Sequence, residues 1–108
     1  MEYPTEFKYG FLTYKIDWRD SDFRDDKGQL LSGHHKQAEG VIVMTTQGTR
    51  AYQQLVLLHE VLHAIVAAQG MNLKEGEECT VDGFAFGLIQ AFHQNPWLYE
   101  FLTEEHAD

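Results

Sequence analysis

Apolar residues are spaced differently in the two halves of the chain. Before residue 47 they come in short β-branched and aromatic bursts; after it they recur at helical spacing. Tyr9 to Trp18 alternates imperfectly and is rich in aromatic and β-branched residues, which predicts a strand. Residues 1 to 8 read as a loose lead-in, and the strongly charged Arg19 to Gly28 as a surface loop or short helical turn. Gln29 to Gln37 is a second, weaker strand, and Ala38-Glu39-Gly40 has turn chemistry. Val41 to Thr46 is the clearest strand signal: short, β-branched and apolar.

From Arg50 to Gln69 the pattern is helical, opened by Thr49 as N-cap and closed by Gly70 as the residue past the end. Leu55, Leu57, Leu58, Val61, Leu62, Ile65, Val66 and Ala68 cover most of its circumference, which predicts a central buried helix. His59 and His63 are then polar groups inside an apolar element, and burial obliges them to find partners. Met71 to Gly76 is a linker, and a second helix is expected over about Glu77 to Gln94. Gly83 and Gly87 lie one turn apart inside it, each costing ~1 kcal/mol against alanine. The expected compensation is close approach of another backbone, with the first helix as the obvious neighbour. Asn95 then caps a short third helix with Pro96 at its first position and an apolar face of Trp97, Leu98, Phe101 and Leu102. Residues 103 to 108 form an acidic tail. The expected fold is α+β: a small N-terminal antiparallel sheet of two or three strands packed on two main helices plus a short C-terminal one.

Composition narrows the function. The chain has 108 residues, the size of one domain, and 44% are hydrophobic, enough for a real core. A net charge of −9 with no Lys/Arg cluster disfavours nucleic-acid binding. No apolar run reaches the ~20 residues of a membrane span, and the first residues do not resemble a secretion signal. The GxxxG-like glycine pair is therefore not a membrane motif. One cysteine, Cys79, allows no internal disulfide and fits a reducing, cytoplasmic compartment.

The candidate chemistry is in His59-Glu60-Val61-Leu62-His63. Two histidines four apart on a helix point the same way, and their imidazoles can grip one metal ion, usually zinc. Glu60 sits ~100° round the helix from His59, badly placed as a ligand beside them and well placed to reach a metal-bound water. A catalytic zinc takes three protein ligands plus water. The second helix opens Glu77-Glu78-Cys79-Thr80-Val81-Asp82, where Glu78 and Asp82 share a face. One carboxylate could bind metal, and the other, one turn on, could accept a hydrogen bond from a ligating imidazole.

HExxH, a short gap and a helix carrying Glu-x-x-x-Asp resemble the gluzincin pattern of thermolysin-type peptidases. The small size and the text LLHEVLHAI…EECTVDGFAFGLIQAFHQNP resemble the compact ImmA/IrrE-like, minigluzincin metallopeptidases, especially short phage-encoded members, over residues 41 to 98. The resemblance implies zinc held by His59, His63 and Glu78, Glu60 as the base, and Asp82 behind His59. Glu77 is the rival for Glu78, but four residues on from it stands Val81, which cannot orient a histidine. The resemblance further implies a monomer acting on a peptide or protein substrate, with the strand Val41 to Thr46 as the sheet edge that flanks the site.

Two other readings stand beside a zinc peptidase. One is a non-enzymatic phage-type regulatory protein with a structural zinc on the same scaffold. The other has no metal, with His59 and His63 satisfied by Glu78 and Asp82. Elsewhere, His34 and His35 could reach the cleft rim or be plain surface histidines. Tyr52, two turns before His59, could line the cleft or pack in the core. His93 lies ~22 Å from Glu78 along the helix, too far to share a metal. His106 belongs to the tail, and Cys79 reads as a core thiol.

Overall fold

The computed structural model describes residues 3–74 and 76–105; His106 lies outside them. The fold is α+β, strands first and helices last, as the sequence predicts. The elements are β1 (Glu6–Tyr9), β2 (Leu12–Arg19), β3 (Phe23–Arg24), β4 (Leu30–Leu31), β5 (Gly33–Lys36), β6 (Val41–Thr45), α1 (Arg50–Gln69), α2 (Glu77–Gln94) and α3 (Pro96–Thr103).

The main sheet has four strands in the order β1-β2-β6-β5, and β3 pairs with β4 apart from it. The sheet is mixed, where an antiparallel sheet was expected: β2 and β6 run parallel, from Lys15 opposite Val41 to Arg19 opposite Thr45. A parallel pair needs a long crossover, and residues 20–40 supply it by way of β3, β4 and β5. β6 therefore lies inside the sheet. The edge that flanks the helix is β5, not the Val41 strand.

Two further expectations change. The lead-in holds β1, and the predicted Tyr9-to-Trp18 strand is cut by a turn at Gly10 (φ 60°) and Phe11. β1 has only Phe7 and Tyr9 as buried residues, between charged ones, too short a pattern to stand out. Asn95 precedes α3 but makes no side-chain cap. Its amide pairs with the free edge of β1 instead, accepting from Lys8 N–H at 2.8 Å and donating to Lys8 C=O at 2.7 Å. Gln94 does the same to Gly10, at 2.6 and 3.1 Å. Two side-chain amides thus close an edge that would otherwise offer unpaired backbone.

Alternation along the strands puts Phe7, Tyr9, Tyr14, Ile16, Ile42 and Met44 on one buried face. That face packs on Leu57, Val61, Ala64 and Ile65 of α1, with Ala91, Leu98 and Phe101 closing the core. The helix ends are as predicted: Thr49 Oγ1 accepts from Tyr52 N–H at 3.1 Å, and Gly70 takes the left-handed conformation (φ 62°). The two glycines of α2 mark a close approach of side chains, not of the backbone expected. A Cβ on Gly87 would run into Ile65 of α1, and one on Gly83 into Met71. Among the described residues no helix is long and apolar enough to cross a membrane.

Candidate metal centre

The burial predicted for α1 is inverted at the motif. His59 and His63 are exposed, and Glu60 is the buried member, with 6% of its surface accessible. The helix is covered on the sheet side and by α2, but Tyr52, Leu55, His59 and His63 form an exposed row; Leu55 is 65% exposed. An apolar sequence all round the helix therefore overstated its burial. Cys79, read as a core thiol, is exposed as well.

Burial thus gives the histidines no need for a partner, but their geometry points to one. The two Nε2 atoms lie 3.1 Å apart, with the rings edge to face and centroids 4.7 Å apart. Two nitrogens bound to zinc at 2.0–2.1 Å and a tetrahedral angle stand about 3.3 Å apart. The separation is thus close to that of two neighbouring corners of a zinc tetrahedron. A single N–H shared between the nitrogens is the metal-free alternative.

A cavity of about 330 Å³ opens beside the pair. His59, Glu60 and His63 form its helical wall; Gly33, His34 and His35 of the edge strand line it too, with Asp25 and Leu31. A second cavity of about 340 Å³ shares Gly33, His59 and Glu60 with it and extends the groove to Tyr52. Tyr52 is thus a cleft residue, its hydroxyl 2.7 Å from Ser32 Oγ. A third, apolar cavity of about 220 Å³ lies on the far side of His63, against Leu62, Val66, Leu73 and Phe84.

Among the described residues nothing holds the Glu60 carboxylate by a hydrogen bond or ion pair. The carboxylate lines the cavity, where water or a bound group can reach it. His35 is held from behind. Its Nε2 lies 2.7 Å from Gln37 Oε1, and the same oxygen accepts from the Tyr14 hydroxyl at 2.8 Å. An amide oxygen only accepts, so this bond is made by the form of His35 with its proton on Nε2. Tyr14 is 1% exposed; burial pushes its phenol pKa above the usual 10.0, against a smaller lowering by Gln37.

Glu78 and Asp82 stand apart from this group. Both are exposed on the first turns of α2, and neither lines a cavity with His59 or His63. The contacts of Gly87 with Ile65 and of Gly83 with Met71 run α2 antiparallel along α1. The start of α2 therefore lies beyond the end of α1. Among the described residues no three His, Cys, Asp or Glu side chains converge on one point. Glu77 and His93 are exposed too. Gly33 and Asp25 line the cavity without being expected there from the sequence. A glycine directly before His34-His35 is the one local signal for the first, and Asp25 is one acid among many in a charged loop. Compared with known proteins, the chain matches no family model, no curated protein and no solved structure.

Proposed function

We propose that the protein is a zinc-dependent metallopeptidase that hydrolyses a peptide bond in the groove between β5 and α1. The observation that supports this most is the Nε2–Nε2 separation of 3.1 Å beside an unpartnered, buried Glu60. His59 and His63 would hold the ion. Bound zinc supplies a water of lowered pKa and polarises the scissile carbonyl. Glu60 would be the base for that water and the proton donor to the leaving amine. His35, held by Gln37 and Tyr14, lines the groove from β5 and is the residue placed to contact the substrate there.

Ser32 C=O accepts from Thr45 N–H at 2.8 Å, so the alternation of an antiparallel ladder turns the backbone groups of Gly33 and His35 to the open edge of β5. An extended peptide can pair with that edge by strand addition. The third protein ligand is Glu78, with Asp82 behind His59, if the start of α2 closes on the pair when zinc binds. Asp25 is the second candidate because it already lines the cavity. A structural zinc is closed by four protein ligands, and the open pair supports that alternative less.

Two measurements test the proposal. Protein purified without added zinc should hold close to one zinc per chain, and Glu60→Gln should keep the metal and lose hydrolysis of a fluorogenic peptide mixture. Glu78→Ala and Asp25→Ala, compared by zinc content, identify the third ligand. Absence of bound zinc even after zinc is added refutes the reading.

A further inference from the structure

We infer that Gly33 is a positioning residue for Glu60: the edge strand seats the Glu60 carboxylate because position 33 has no side chain. This rests on Glu60 being the base. Gly33 does not have a positive φ, so backbone freedom is not the reason for a glycine there. Space is the reason. A Cβ at position 33 would stand 2.9 Å from Glu60 Oε2, 2.9 Å from Glu60 Cγ and 2.7 Å from Val56 Cγ1. Real Cβ atoms do not tolerate such contacts, so both side chains must give way. Val56 is β-branched and stiff at χ1, whereas the carboxylate is the far end of a flexible chain. The carboxylate is the group displaced furthest.

Its seat is set from both sides. The α1 backbone fixes the Glu60 Cα beside the sheet, and Gly33 lies directly over the side chain. With no hydrogen bond to hold the carboxylate among the described residues, steric confinement is what defines its position. Gly33 and His35 share one face of β5, since side chains two apart point the same way. The groove-facing side of the strand therefore reads gap then imidazole. The gap receives Glu60, and the same strand turns its free backbone groups to the peptide. One short strand thus sets the distance between the base and the bound substrate.

The test uses the full chain and a double-mutant cycle. Gly33→Ala should lower Tm by about 5 °C, the scale of a modest overpacking. In a Glu60→Ala background, where two of the three contacts are gone, the same change should cost less than half of that. Equal cost in both backgrounds overturns the inference, and this readout needs no activity. With zinc and the fluorogenic peptide mixture, Gly33→Ala should retain zinc content and KM but lower kcat at least tenfold. Val56→Ala added to it should leave kcat low. Recovery of kcat would make Gly33 a packing residue for Val56 and refute the positioning role, as would an unchanged kcat in Gly33→Ala. If the wild type cleaves nothing, the peptidase reading fails, and the stability cycle alone decides whether Gly33 seats Glu60.

Discussion

Zinc should stabilise this fold, and the size of the effect should report how many ligands close on the ion. A ligand that binds only the folded state adds RT ln(1 + [L]/Kd), about 0.4 kcal/mol when free zinc equals Kd and about 2.7 kcal/mol at a hundred times Kd. A chain of 108 residues unfolds with an entropy of about 0.2 kcal/mol per kelvin. The two cases therefore raise Tm by about 2 °C and about 12 °C. His59 and His63 are exposed and lie on one helix, with their nitrogens close to the spacing the ion needs. Two imidazoles alone leave half the tetrahedron to water, and their stabilisation should remain at the low end across micromolar free zinc. A third protein ligand should move it to the high end. Thermal unfolding followed by circular dichroism, with free zinc buffered over several decades, measures both. His63→Ala should abolish the shift, and Glu60→Gln should preserve it. A Tm indifferent to zinc, or a shift that survives His63→Ala, would refute the assignment of the pair as ligands.

The glycines of α2 should separate by what stands over them. Gly87→Ala drives a methyl into Ile65, which is fully buried and β-branched, and should cost about 1–3 kcal/mol by denaturant unfolding. Gly83→Ala meets only the flexible end of Met71 and gains ~1 kcal/mol of helix propensity, so it should be neutral or stabilising. Tyr14 gives a pH signature. Burial raises its pKa above 10.0, so the fold favours the protonated phenol. That contribution is complete below pH 10 and is lost as pH rises through the higher folded value. Tyr14→Phe should lower Tm by about 4 °C at pH 7 through loss of the bond to Gln37, and flatten the alkaline decline, as read by thermal unfolding across pH 7 to 12.

Local signals in the sequence were reliable where one residue type decides the outcome. Thr49 and Gly70 bound α1 as expected because capping depends on a hydroxyl and a left-handed φ. Gly83 and Gly87 announced a close neighbour because nothing else compensates a glycine inside a helix. What failed was inference from apolar coverage to burial. Leu55, Leu58, Leu62 and Val66 widen the apolar arc of α1, but how much of an arc is covered depends on how many elements exist to cover it. A chain with a four-stranded sheet and two further helices covers only part, and the histidines fall in the open sector. The strand order was illegible for a related reason. β5 is four residues of intermediate burial, Gly-His-His-Lys, with no alternation to betray it as the edge strand.

The error and the site have one source. A strand without its own apolar face can lie at a sheet edge over a polar helix position, and only there can a glycine and a histidine share a wall with a glutamate. Had Gly33 and His35 been Val and Ile, β5 would have been plain in the sequence. Glu60 would then have had no room beneath it. The weakness of the β5 signal thus goes with the groove it lines, and the strongest strand, β6, lies inside the sheet with a paired neighbour on each side.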